Sequence, residues 1–152
     1  DTMALFAIMT LYVGVGVLAA IGTVTIGRSR FSSRVQQGFI SLLLVPVALM
    51  YLVFVSYFHA PSALRPEGYA VLGFVTLGIL GVRFPVFLIL GYALHGAWDL
   101  AHEVAVHTSA SVGATGSLTA IPLAYGAFCA AYDWCIAGYF SLRLTGARQA
   151  AG

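Results

Sequence analysis

The stretch Phe39-Ile-Ser-Leu-Leu-Leu-Val-Pro-Val-Ala-Leu-Met-Tyr-Leu-Val-Phe-Val-Ser-Tyr-Phe58 runs for 20 residues without a charged side chain. A helix needs about 20 mainly apolar residues to cross a bilayer, so this segment reads as a transmembrane helix. The rest of the chain agrees. Of 152 residues, 61% are apolar and only 8% are charged. A soluble domain carries roughly 25% charged residues, and 7 arginines with 5 acids cannot keep a globule of this size in water. A soluble enzyme and a disordered tail are excluded. The net charge of +2 is too small to suggest nucleic acid or another polyanion as a partner. Lipid is the solvent this composition fits.

Working outward from Phe39–Phe58, breaks at charges and at Pro/Gly/Ser clusters define four more segments. They run from about Met3 to Ile26, Gly68 to Val82, Pro85 to Val106 and Ile121 to Leu142. The expected fold is all-α: one polytopic bundle of five transmembrane helices, residues 1–152, with no internal repeat or linker. The third segment is short, about 22 Å long at 1.5 Å per residue. It either starts earlier, at Pro66, or sits in a locally thin bilayer. A helical hairpin that does not cross is the other reading. The first segment lacks the basic start and the short apolar core of a signal peptide. The chain opens on Asp1 rather than methionine, as an incomplete or processed form would.

Arginine placement sets the orientation. With five spans, Arg28, Arg30, Arg34, Arg83, Arg143 and Arg148 share one side, and Arg65 stands alone on the other. The N-terminus is therefore expected outside and the C-terminus in the cytoplasm, in a plasma membrane such as the bacterial inner membrane. Cys129 and Cys135 lie six apart, about 120° around a helix, and are expected to stay unpaired.

In such a chain the informative residues are the ionisable ones, because each costs several kcal/mol in lipid unless paired. The fourth segment carries His95-Gly-Ala-Trp-Asp99-Leu-Ala-His102-Glu103. At 100° per residue, His95, Asp99 and His102 fall within about 60° of one another, with Glu103 at the rim. The fifth segment places Tyr125, Cys129 and Asp133 on one face at i, i+4 and i+8. Glu67 opens the third segment, and His59, His102, Glu103 and His107 gather with it toward the outer surface.

Three chemistries fit. The first is a metal site, with His95, Asp99 and His102 as ligands to zinc, iron or manganese and Asp133 or Glu67 adding another. A metal there could activate water for attack on a lipid ester or amide, with Ser56, His59 and the tyrosines supporting. The second is general acid/base chemistry or a proton relay without metal, using the same carboxylates and histidines. The third is a tetrapyrrole pocket, haem or chlorophyll, with His95 as axial ligand. A plain structural network gluing the helices together competes with all three. It is the better reading for His59, His107, Cys129 and for Glu67 as a first-turn residue. Trp98 and Trp134 read as packing or belt residues.

The motif Leu94-His95-Gly-Ala-Trp98-Asp99-Leu-Ala-His102, preceded by Gly81-Val-Arg83, resembles a family of small integral-membrane proteins of bacteria and fungi known only as a domain of unknown function. Its members show a Glu opening one helix, a His-x-x-Trp-Asp-x-x-His-His run, and then a Cys-x-x-x-Asp helix. Glu67, His95, Trp98, Asp99, His102, Cys129 and Asp133 stand at the matching positions, and the resemblance covers roughly Glu67 to Phe140. Glu103 replaces the second His of the pair, which weakens a site made of His alone but supplies an oxygen ligand. The resemblance implies the site residues and no activity.

The expectation drawn from the residues is a membrane-embedded enzyme acting on a lipid or isoprenoid. His95, Asp99 and His102 are its expected metal ligands, and Glu103, Glu67 and Asp133 its acid/base groups. The alternative is a non-catalytic accessory or binding subunit, homo-oligomeric or part of a larger membrane complex.

Overall fold

A computed structural model describes residues 2–108 and 118–149, with the side chain of Arg148 outside that set. Asp1 and most of the expected His107–Thr119 loop lie outside the described residues. The described chain is helical throughout, as expected: α1 (Thr2–Arg30), α2 (Ser33–Tyr57), a 3-10 turn (Pro61–Ala63), α3 (Leu64–Gly81), α4 (Pro85–Thr108) and α5 (Tyr125–Gln149).

The helix ends differ from the expected ones for identifiable reasons. α1 runs on through Arg28 to Arg30 and α2 begins at Ser33, because exposed arginines extend from a helix end into water without breaking it. The third helix starts at Leu64, four residues before the expected Gly68. Pro66 lies in its first turn, where no intrahelical N–H is needed. With the Pro61–Ala63 turn this element covers 21 residues, about 31 Å. The fifth starts late, at Tyr125, because Pro122 and a left-handed Ala124 (φ 60°) precede it. α2 ends in a left-handed His59 (φ 51°), whose N–H donates to Ser56 while Ala60 N–H donates to Val55. That pattern satisfies orphan carbonyls at a helix C-terminus, and it gives His59 a backbone job.

α4 packs against α5 on one side and α3 on the other, α3 packs on α2, and α1 lies along α5. α1 and α2 touch only lightly. The approach of α1 to α5 is backbone-close at Gly16, where a Cβ would collide with the Phe128 carbonyl oxygen. Three elements, Thr2–Arg30, Ser33–Tyr57 and Pro61–Gly81, are long and apolar enough to cross a membrane, which marks an integral membrane protein. α4 and α5 have 24 and 25 residues, but their apolar character is diluted by polar side chains. Those side chains point inward. His95, Asp99 and His102 are 0% exposed, whereas Leu94 and Leu100 on the same helix are 53% and 41% exposed. This inside-out pattern is what an apolar solvent favours.

Candidate metal centre

The site begins with helical spacing on α4. His95 and Asp99 are one turn apart, which brings Asp99 Oδ2 to 3.1 Å from His95 Nδ1. Two glycines then let α5 come close. A Cβ on Gly96 would press on the Trp134 indole at 2.8 Å, and one on Gly126 would strike the Asp99 carbonyl and the Glu103 side chain. With those gaps left open, Asp133 of α5 reaches His95, Nδ1 to Oδ2 at 2.7 Å. From α2, the Tyr51 hydroxyl donates a hydrogen bond to Asp99 Oδ1.

The result is one nitrogen facing two carboxylates inside the bundle. Ligand atoms of His95, Asp99 and Asp133 lie within 4.8 Å of one another, and this group can hold a metal ion. The donor set of one imidazole and two carboxylates suits zinc, iron or manganese. A tetrahedral site with ~2.0 Å bonds would have edges of roughly 3.3 Å, so the two nitrogen–oxygen separations of 2.7 and 3.1 Å would need to open by about 0.6 and 0.2 Å. Two atoms of the group lack a hydrogen-bond partner although buried, His95 Nε2 and Asp99 Oδ2. Asp99 Oδ2 is near Nδ1, but the ring N–H is directed at Asp133. A buried acceptor left in this state costs about 1–3 kcal/mol. The imidazole is walled by Phe74, ring centres 4.7 Å apart, and by Tyr51 at 5.9 Å.

Of the expected ligands His95, Asp99 and His102, the structure brings the first two together with Asp133, and His102 lies outside this group. Its Nε2 lies 2.7 Å from Glu67 Oε1 and its Nδ1 2.9 Å from the Trp98 carbonyl oxygen. Both ring nitrogens are thus engaged with Glu67 and Trp98, away from the His95 group. The physical reason is depth. His95 and His102 share a face, but seven residues separate them by ~10.5 Å along the axis. Of the two histidines on that face, His95 is the one that Asp133 meets.

Glu67 and Glu103, expected as acid/base groups, are both buried and both occupied. Glu67 accepts from His102, from the Thr119 backbone N–H at 2.9 Å and from Trp98 Nε1 at 3.2 Å. It thereby ties α3, α4 and the chain entering α5 together. Glu103 Oε2 accepts from the Gly126 and Ala127 N–H groups at 2.9 and 3.3 Å, and Oε1 accepts from His107 Nε2 at 2.8 Å. It therefore caps the N-terminus of α5 from a neighbouring helix, where orphan N–H groups and the helix dipole favour a carboxylate. Ser56 and His59 are exposed at the end of α2, away from the centre. Cys129 is buried, and neither it nor Cys135 is in a disulfide, as expected. Trp98 does more than pack, through its bond to Glu67.

Sequence reasoning counted the tyrosines as supporting groups but did not single out Tyr51. The available signal was a lone hydroxyl in the middle of an uncharged span, a polar atom that needs a partner at that depth.

Searches with the chain against protein-family models, curated proteins and solved structures find no match.

Proposed function

We propose that the chain is a five-span membrane enzyme, N-terminus outside and C-terminus cytoplasmic, that binds one divalent metal at His95, Asp99 and Asp133 and acts on a lipid or isoprenoid. The observation that carries this reading is the pair of buried carboxylates converging on one imidazole nitrogen, with Asp99 Oδ2 unsatisfied. A divalent cation would balance the two carboxylates and supply Lewis-acid polarisation of an ester, amide or phosphate oxygen. Asp133 and Asp99 fix the imidazole, and the Tyr51 hydroxyl holds a proton at Asp99 Oδ1. Glu67, His102 and Glu103 position the helices that carry these groups. The inward polar faces of α4 and α5 support their crossing the bilayer with the other three. The crossing of α3 puts Arg83 on the side of the other five cytoplasmic arginines, in keeping with the charge bias.

A lipid-like substrate fits the approach to the site. A groove of about 420 Å³ opens on the outer face of α3 and α4, lined by Tyr69, Gly73, Leu77 and Leu94 with Phe74 and Trp98 at its floor. Phe74 is also the wall of His95, so one aromatic ring separates the groove from the centre. Within the tetrapyrrole alternative, a bis-histidine haem needs a second histidine at the depth of His95. Of the described candidates, His102 is taken by Glu67 and His59 ends α2.

The test is elemental analysis of the full chain purified in detergent, together with mass spectrometry of lipid extracts from expressing cells. We expect about one zinc, iron or manganese per chain, and a lipid or isoprenoid species that changes with the wild type and not with His95→Ala. Metal-free protein whose unfolding ignores both chelator and added metal would overturn the metal, and identical extracts would overturn the enzyme.

A further inference from the structure

The arginine-bearing end of the bundle carries a feature that the metal centre does not use. A cavity of about 270 Å³ lies among the end of α1, the start of α2 and the last turns of α5, lined by Arg28, Phe31, Ser33, Gln36, Tyr139 and Arg143. Arg143 is held in place there. One of its N–H groups donates to Gln36 Oε1 at 3.0 Å, and its guanidinium carbon lies 5.7 and 5.3 Å from the ring centres of Tyr139 and Phe140. Gln36 is itself fixed. It is 2% exposed, donates Nε2–H to the Val24 carbonyl and accepts from the Tyr139 hydroxyl, both at 3.3 Å. A guanidinium has five N–H donors, so most of those on Arg143 stay available.

Arg28 lines the same cavity from α1. Among the described residues every ion pair is between a histidine and an acid, and no arginine meets a carboxylate. The described acids, Glu67, Asp99, Glu103 and Asp133, are engaged with histidines, backbone amides, Tyr51 or Trp98 elsewhere in the bundle. Among the described residues, two cations thus share a cavity with no carboxylate between them. Such an arrangement is relieved by an anion, and planar guanidinium forks match phosphate oxygens bidentately. The cavity also opens at the helix ends, where a bilayer places its headgroups, and the cytoplasmic leaflet is the anionic one.

The geometry points to a binding site for a phosphate group between Arg28 and Arg143, with the phosphodiester headgroup of an anionic phospholipid as its source. Arg28 and Arg143 hold the phosphate oxygens, Ser33 offers a hydroxyl, and Gln36 and Tyr139 keep Arg143 oriented. Phe31 faces the glycerol and upper acyl region. The site depends on the membrane reading of the chain and not on the metal centre.

Native mass spectrometry of the full chain, offered phosphatidylglycerol or phosphatidylcholine in mixed micelles, tests it. The wild type should retain phosphatidylglycerol over phosphatidylcholine. Arg28→Gln and Arg143→Gln should each weaken that retention about 5-fold. Arg30→Gln removes the same charge from the same helix end outside the cavity and should leave retention unchanged. Arg28 is exposed, so its variant tests the site even if Arg143→Gln fails to fold. Equal retention of both lipids, or an equal loss with Arg30→Gln, would overturn the site. Displacement of the lipid by millimolar inorganic phosphate, with the same dependence on Arg28, would overturn the lipid source and leave a free-phosphate site.

Discussion

His95 of α4 and Asp133 of α5 meet across the helix seam at 2.7 Å, Nδ1 to Oδ2, with both side chains at 1% exposure or less. The contact joins ionisable side chains of two neighbouring helices inside the bundle. It links the packing of the bundle to its candidate chemistry, since the same contact that closes the seam completes the group of three.

Asp133→Ala should destabilise the protein by about 3–5 kcal/mol, because it leaves a buried partner uncompensated. Asp133→Asn keeps the shape and an acceptor oxygen and should cost less, while metal affinity drops at least ~100-fold. Thermal unfolding in detergent and metal titration read the two effects separately. Wild-type metal affinity in Asp133→Asn would remove Asp133 from the ligand set.

Tyr51→Phe deletes a single hydroxyl and leaves Asp99 Oδ1 without its donor. The expected cost is about 1–3 kcal/mol in stability. Metal affinity should fall by about 10–100-fold, the usual penalty for losing a group that orients a ligand. If affinity is untouched, Tyr51 is a packing residue that happens to touch Asp99.

Glu103→Ala should cost about 0.5–2 kcal/mol through the lost cap. Hydrogen exchange should accelerate at the Gly126 and Ala127 amides, the two groups it accepts from. Glu103→Gln retains an oxygen acceptor and should behave close to wild type in stability and metal content. Loss of activity in Glu103→Gln with full stability and metal would instead return Glu103 to the chemistry.

The topology is open to cysteine mapping in a background with Cys129 and Cys135 replaced by alanine. A membrane-impermeant maleimide applied to intact cells should label Ser62→Cys. It should reach Ser32→Cys and Phe84→Cys only after permeabilisation. Labelling of Ser62→Cys and Phe84→Cys from one side would show that α3 is a hairpin that does not cross, and the reverse pattern would invert the protein.

Much of the architecture was legible in the sequence. The uncharged run Phe39–Phe58 and the charge poverty around it point to an all-helical chain with apolar outer faces, and His95, Asp99, His102, Glu103 and Asp133 on α4 and α5 turn inward. Helix ends were less legible, because the residues that seemed to break helices do not. Pro66 is harmless in a first turn and Arg28 in a last one, whereas Ala124, which carries no turn signal, adopts the left-handed conformation before α5.

Within the site, periodicity could say which residues share a face but not which share a depth. The sequence alone determined that His95, Asp99 and His102 look into the bundle, since 3.6 residues per turn brings them to one side. Only the tertiary structure decided that Asp133 and Tyr51 complete the His95 group while Glu67 takes His102. That choice rests on how far one helix slides along another, which side-chain volume at Gly96 and Gly126 sets. It also rests on the need of each buried polar group for a partner within hydrogen-bond reach, a condition that spacing within one helix cannot express.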